Sequence, residues 1–310
     1  MRHNKHLSSL LLALCMLLCG CGSATTQPGS GSPTRAMSGD SASYAAPPFA
    51  ASQFHEDLAE GADDTRIDLS AVSEGYVAVS VKSDKRLKFQ VLKEGEAYNY
   101  DLASDGTPSI YPLQCGNGRY TFRVMENTTE NKYAQIYITE RDVVLLDEFQ
   151  PFLRPSDYAS YTADSACVRK AAELAEGCGS ALDVVGAVYE FVCQTVRYDS
   201  DKAASVKSGY LPSPDETLQT CKGICFDYAA LAAAMLRSQG IPTKLIFGYV
   251  APDDLYHAWN MFYTEESGWI TVSFEVGGEE WTRMDLTFSA AGAPAEFVGD
   301  GSHYLDLYSY

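Results

Sequence analysis

Basic residues are scarce in this chain of 310 residues: 23 lysines and arginines stand against 41 aspartates and glutamates, a formal net charge of −18. A surface that holds nucleic acid through its phosphates needs the opposite sign, so the balance argues against that partner. Long apolar runs are lacking as well. The one run near the amino terminus, Leu10 to Leu18, is too short to cross a bilayer as a mature helix. Nine cysteines over this length are too sparse for a disulfide framework, and Cys15, Cys19 and Cys21 crowd the first residues. Histidine is scarcer still. Beyond His3 and His6 only His55, His257 and His303 remain as candidate bases. With 46% hydrophobic residues, the chain still has apolar material for one large domain or two modest ones.

Arg2 and Lys5 followed by the apolar run read as a secretory signal over residues 1–20. Its end, Leu18-Cys19-Gly20-Cys21, resembles the bacterial lipobox. The resemblance implies cleavage before Cys21 and a lipid on that residue, which places the mature chain on the extracytoplasmic side of the cell membrane. Residues 21–53, rich in Ser, Gly, Thr, Ala and Pro, read as a flexible tether.

Residues 54–150 carry short runs with period-two alternation, among them Tyr76-Val77-Ala78-Val79-Ser80-Val81, Leu87-Lys88-Phe89-Gln90-Val91 and Tyr120-Thr121-Phe122-Arg123-Val124. Lys93-Glu94-Gly95 and Gly116-Asn117-Gly118 are among the turn signals between them, and the spacing predicts a small antiparallel sandwich. Its tyrosines fit either packing or a recognition face. After Pro151 the texture becomes helical, over residues 164–176 and 180–198, with Ser180 or Asp183 serving the second helix's first turn. Residues 200–220, containing Gly209, Pro212 and Pro214, read as a long loop.

Cys225 opens an alanine-rich stretch that ends at Ser238 and is closed by Gln239-Gly240-Ile241-Pro242, a strong helix pattern. A cysteine at a helix N-terminus has its thiolate favoured by the dipole and by free N–H groups. Asp227 in the same turn opposes that effect. On this segment alone, a packed cysteine and a nucleophile are equal readings. His257 in the strand-like run 256–262 supplies a base, and Asp285 among apolar residues supplies an acid that would fix the imidazole tautomer.

The order and local contexts resemble the transglutaminase-like family: Val196-Arg197-Tyr198-Asp199, Lys222-Gly223-Ile224-Cys225-Phe226-Asp227-Tyr228-Ala229, Gly240-Ile241-Pro242, Phe247-Gly248-Tyr249, His257-Ala258-Trp259 and Asp285-Leu286-Thr287. The resemblance implies, after the N-terminal antiparallel β-sandwich read from the strand spacing, a papain-like, transglutaminase-like core of a helix packed on an antiparallel sheet within residues 151–310, and so an α+β chain. It implies Cys225, His257 and Asp285 as nucleophile, base and orienting acid, and acyl transfer through a thioester. Tyr198 is the candidate for orienting substrate. Two positions depart from the family pattern: Leu286, where Pro is common, and Cys221, where Gly is more usual.

The function expected is hydrolysis of peptide or isopeptide amides in surface proteins or cell-wall peptides, with crosslinking as the other outcome of the same thioester. No cofactor is expected, and the membrane partner is reached through the lipid on Cys21. Two alternatives stay open, a non-catalytic protein-binding module on the same fold and a zinc site built from Cys221, Cys225, His257 and Asp285.

Overall fold

The computed structural model describes residues 43–251, 255–265, 268–271, 286–290 and 304–310, and residues 41–310 form one compact unit. Cys21 and Asp285 lie outside the described residues. The first half is mainly strand: β1 (Thr65–Asp68), β2 (Tyr76–Val81), β3 (Leu87–Lys93), β4 (Glu96–Leu102), β5 (Ser109–Pro112), β6 (Gly118–Thr129) and β7 (Lys132–Val143). They form a sheet ordered β1-β2-β5 and a sheet ordered β4-β3-β6-β7, with every pairing antiparallel. Alternation decides what is buried. In β3, Leu87, Phe89 and Val91 point inward while Lys88 and Gln90 are half-exposed. The β3–β4 turn uses Glu94 and Gly95 at φ 50° and 97°, the left-handed geometry that a tight hairpin needs. Tyr76, Tyr98, Tyr100 and Tyr120 are all buried, so these tyrosines are packing residues.

The second half runs α1 (Ala166–Ala175), α2 (Ala181–Thr195), β8 (Arg197–Tyr198), α3 (Ser200–Ser205), α4 (Pro214–Thr220), β9 (Lys222–Gly223), α5 (Cys225–Ser238), β10 (Thr243–Val250), β11 (Leu255–Thr264), β12 (Gly268–Thr271), α6 (Leu286–Ala290) and β13 (Tyr304–Ser309). The four longer strands form a sheet ordered β12-β11-β10-β13, so the last strand closes it beside β10. Ser180 caps α2, its Oγ accepting the Asp183 N–H at 3.1 Å. The expected loop over 200–220 instead holds α3 and α4. Asp199 caps α3 at Lys202 N–H, and Ser213 with Pro214 in the first turn starts α4, so local caps stabilise turns too short for a periodic pattern.

Helix α5 is buried from Asp227 onward and sits between two apolar clusters. Ala229 and Ala230 join Leu245, Ala258 and Tyr310 in the cluster that also fills the sandwich, while Leu231, Met235 and Leu236 join α1, α2, Phe262 and Leu286. The small alanines let the helix approach the sheet closely. Tyr158 links the halves, with its ring 5.6 Å from Tyr100, 5.4 Å from Phe226 and 4.5 Å from Tyr310. Residues 43–53, tether-like in composition, have no regular secondary structure yet are held on the body. Tyr44 Oη donates to Gln239 O at 2.5 Å, its N–H donates to Cys178 O at 2.7 Å, and Phe49 meets Tyr161 edge-on at 5.7 Å. Their aromatic side chains supply the burial that a Ser/Gly count does not reveal.

Candidate active site

Cys225 is the first residue of α5 and is half-buried. Ile224 precedes it with extended backbone and has no side-chain acceptor, so the capping is done from inside the helix: Asp227 Oδ2 accepts the Ile224 N–H at 2.8 Å. That contact brings the carboxylate under the turn that leads into the helix. A Cβ on Gly223 would stand 2.5 Å from Asp227 Cβ, so only glycine fits there.

Asp227 has no solvent exposure, and its charge is met from the segment read as a loop. Lys202 Nζ lies 2.8 Å from Oδ2, Tyr210 Oη donates to Oδ1 at 2.5 Å, and Lys202 also donates to Tyr210 Oη at 2.6 Å. Burial pulls the Lys202 ammonium down, but the bonds to Asp227 and Tyr210 outweigh it and hold it above the ordinary lysine value. Burial, followed by the Asp227 bond, pushes the Tyr210 phenol up to about 12. The opposition to the thiolate expected from Asp227 is therefore compensated by a cation in the structure. Lys202 and Tyr210 were not among the candidate residues, because nothing local in the sequence connects them to a residue 25 or 17 positions away.

Tyr198 reaches the same place through backbone pairing. β8 and β9 run parallel with Tyr198 opposite Gly223; Arg197 N–H donates to Cys221 O at 3.0 Å and Asp199 N–H to Gly223 O at 2.9 Å. The phenol is partly exposed and raised, first by burial and then by the Cys225 thiol. Tyr228 Oη, buried one turn into α5, donates to Val196 O at 2.8 Å and so ties the nucleophile's helix to the segment carrying Tyr198.

His257 lies in β11 opposite Gly248 and is 4% exposed. Trp259 shares its side of the strand, the rings 6.2 Å apart and nearly parallel. The alternate residues turn to α5. Asn260 Nδ2 donates to Ala229 O at 3.0 Å and to Lys244 O at 3.3 Å, pinning β11 to both helix and β10. Tyr256, the residue before His257, belongs to the α5 side, and its phenol is raised by burial and then by Tyr308, Tyr249 and the Cys225 thiol. Tyr256 thus comes close to the nucleophile at one end of the sheet, while His257 stands on the alternate row with Trp259, the side of β11 turned from α5. Asp285 cannot be placed among the described residues, but Leu286 directly after it opens α6 and is buried against α2 and α5. At the position where the family pattern has Pro, this chain has a core residue.

Cys221 is the left-handed cap of α4, with φ 53° and ψ 34°, a conformation that suits glycine. Its Sγ is directed to Leu218 O at 3.4 Å, and Cys115, Cys167, Cys178, Cys193, Cys221 and Cys225 are all free thiols. Among the described residues no group of three or more His, Cys, Asp or Glu side chains is arranged to hold a metal ion, and no helix is long and apolar enough to cross a membrane.

A helix opening on cysteine and packed on an antiparallel sheet that carries a buried histidine defines an α+β core of the papain-like class. Residues 168–274, from α1 beyond β12 and including Cys225 and His257, match the model of the transglutaminase-like superfamily. The chain is 27% identical to the kyphoscoliosis peptidase of Homo sapiens over 176 residues, 51% of this chain and 26% of that protein. It is 36% identical to a UPF0252 protein of Methanocaldococcus jannaschii over 59 residues, 17% of each. It therefore spans well under two thirds of either relative. Among solved structures, a candidate cysteine protease from Cytophaga hutchinsonii aligns at a TM-score of 0.39 and 20% identity, over 74% of this chain and 73% of that one. Red sea bream transglutaminase aligns at 0.29 and 12%, over 68% and 48%. Structural likeness of this degree adds nothing to the family match.

Proposed function

We propose that this chain is a cysteine-dependent acyl-transfer enzyme that hydrolyses peptide or isopeptide amides, held outside the cell membrane by a lipid on Cys21. The observation that supports it best is the start of α5, where Cys225 occupies the first helical position, the neighbouring carboxylate has its own cation, and the strand bearing His257 is pinned to the same helix. Free N–H groups at that end favour the thiolate and can also donate to the oxyanion of a tetrahedral intermediate. In the proposed reaction Cys225 Sγ attacks the amide carbonyl, and His257 takes the thiol proton and returns it to the leaving amine. A thioester remains. Water then adds to it, His257 taking the water proton, and the carboxylic acid departs as the thiol is restored. Asp285 is assigned the orientation of the imidazole, and Tyr198 that of the substrate.

Iodoacetamide labelling of the purified protein at graded pH, located by mass spectrometry, tests this with bound zinc measured in parallel. Selective alkylation of Cys225 that persists at a pH where the other thiols no longer react, abolished in His257→Ala, is the expected result. Unselective or absent labelling of reduced, metal-free protein would overturn it. Stoichiometric zinc released by Cys225→Ser would point to the metal site instead. Peptides carrying glutamine or an isopeptide bond, offered with and without an amine, then separate hydrolysis from crosslinking by released ammonia, cleavage or adducts.

A further inference from the structure

The sheet is longer than the helix that covers it. Antiparallel pairing places Phe247, Tyr249, Tyr256, Ala258 and Asn260 on the face toward α5, since Phe247 is opposite Ala258 and Tyr249 opposite Tyr256. Covering begins at the far end, where Phe262 packs in the core with Leu231 and Met235, and continues through the Asn260–Ala229 hydrogen bond to Phe247, whose ring lies 4.9 Å from Phe226. There the helix stops, at Cys225. The next rung of the same face, Tyr249 between Tyr256 and Leu305 in register, is uncovered, and the three side chains are 38%, 54% and 60% exposed.

Ring contacts connect this rung to the nucleophile. Phe226, the residue after Cys225, meets Phe247, which stacks with Tyr256 at 6.0 Å, which meets Tyr249 edge-on at 5.6 Å. Tyr308 continues the surface toward Tyr98 of β4, 5.9 Å away. No charged residue stands on this face among the described residues of β10 and β11, and Asp306 of β13 pairs with Gly248 on the alternate row. Among the described residues of these two strands, the strip beside the thiol is therefore uncharged. A charged side chain laid there would lose water and find no counter-charge, whereas an aromatic or branched aliphatic one would gain contact area and ring stacking.

Resting on the acyl-transfer reading above, we propose that Tyr249, Tyr256 and Leu305 form a subsite for an uncharged aromatic or branched aliphatic side chain of the polypeptide whose amide Cys225 attacks. The substrate class is narrowed accordingly, to polypeptides with such a residue beside the attacked carbonyl.

Peptidyl vinyl sulfones test it on the full-length protein, with Phe, Leu, Lys or Glu next to the electrophile and the rate of Cys225 modification followed by mass spectrometry. Each rate is divided by that of iodoacetamide, which is too small to use the rung. The Phe and Leu probes are expected to exceed the Lys and Glu probes by about tenfold or more, the discrimination one apolar side chain can provide. Tyr249→Ser with Leu305→Ser, both exposed positions, should remove most of that preference, and Ile138→Ser on β7 should leave it intact. Equal rates for Phe and Lys probes, or a preference that survives the double substitution, would overturn the subsite while leaving the thiol chemistry standing. If iodoacetamide itself fails to select Cys225, the acyl-transfer reading falls and the subsite with it.

Discussion

Lys202 Nζ sits 2.8 Å from Oδ2 of Asp227, a carboxylate with no solvent exposure two residues beyond Cys225. Removing the ammonium in Lys202→Met leaves that buried charge uncompensated, with two expected consequences. Stability falls by about 3 kcal/mol, as when one partner of a buried pair is lost. Cys225 alkylation slows, since the uncompensated negative charge beside it opposes the attacking thiolate. Adding Asp227→Asn removes the charge while keeping an acceptor for the Ile224 N–H, so the alkylation profile should return toward the parent. A role in shape alone would not give that reversal. The profile of Cys225 alkylation against pH, with and without the second change, is the measurement.

The same pair sets an alkaline limit. Lys202 is held above its ordinary value, so its contribution to stability is complete below the unfolded lysine pKa of about 10.4 and is lost as pH rises through the folded value. Urea denaturation should show a decline in stability above about pH 10 that is smaller in Lys202→Met. An equal decline in both proteins would remove Lys202 as its source.

Gly223→Ala tests the close approach beneath the nucleophile. The added carbon would lie 2.5 Å from Asp227 Cβ, and Asp227 is fixed by bonds from Ile224, Lys202 and Tyr210, so it has little room to yield. The expected cost is about 2 to 3 kcal/mol, in the range of overpacked sites. The start of α5 shifts with it, so slower Cys225 alkylation should accompany the lower Tm. Normal values of both would show that the turn can adjust.

How far the sequence could be read depended on whether a feature is local. Helix α5 and the strand of His257 follow from alanine propensity, closing Gly240 and apolar alternation, and they stand where those signals place them. Helix α4 was legible in principle, since Ser213-Pro214-Asp215-Glu216 is a cap, a first-turn proline and an acidic first turn, but the prolines drew the segment toward loop. The partnership of Lys202 with Asp227, and the exposed rung at Tyr249 and Tyr256, are tertiary. The pair arises from where α3 brings Lys202 to the start of α5, and the rung from how far α5 extends over the sheet; no spacing along the chain encodes either. The packing of residues 43–53 escaped for a related reason, since composition averages Tyr44 and Phe49 into their Ser-rich surroundings.

Cys221 occupies a left-handed position, which costs a residue with a side chain roughly 1 to 2 kcal/mol. Glycine removes that cost but adds back about 0.5 to 1 kcal/mol through greater freedom in the unfolded chain. Cys221→Gly should therefore gain up to about 1.5 kcal/mol, and Cys221→Val, branched at Cβ, should lose stability. Chemical denaturation of the two variants checks the order. Cys225 alkylation should persist in both, since Cys221 Sγ bonds to Leu218 O and not to the nucleophile.

At the other end of α5, Arg237 joins three segments through one planar group. Nε donates to Thr243 O at 2.8 Å, Nη1 to Arg154 O at 3.0 Å and Nη2 to Tyr310 O at 2.9 Å, linking the helix to the start of β10, the chain before α1 and the residue after β13. Burial pushes the guanidinium down to about 10, yet it remains a cation at neutral pH. Met fills similar volume and carries no charge, so Arg237→Met recovers the cost of burying the cation while leaving three carbonyls without these donors. Tyr310 O keeps a backbone donor, so at most two carbonyls go unsatisfied, and at about 1 to 3 kcal/mol for each the loss should still win, by about 2 kcal/mol overall. Lysine places one ammonium where three separate directions are needed, so Arg237→Lys should recover only a minor part. Because Tyr310 O also accepts the Leu245 N–H at 2.7 Å, the edge between β10 and β13 should loosen first. Amide exchange at Leu245 should therefore accelerate in Arg237→Met more than exchange in β3, and uniform acceleration across both sheets would instead indicate a purely global effect.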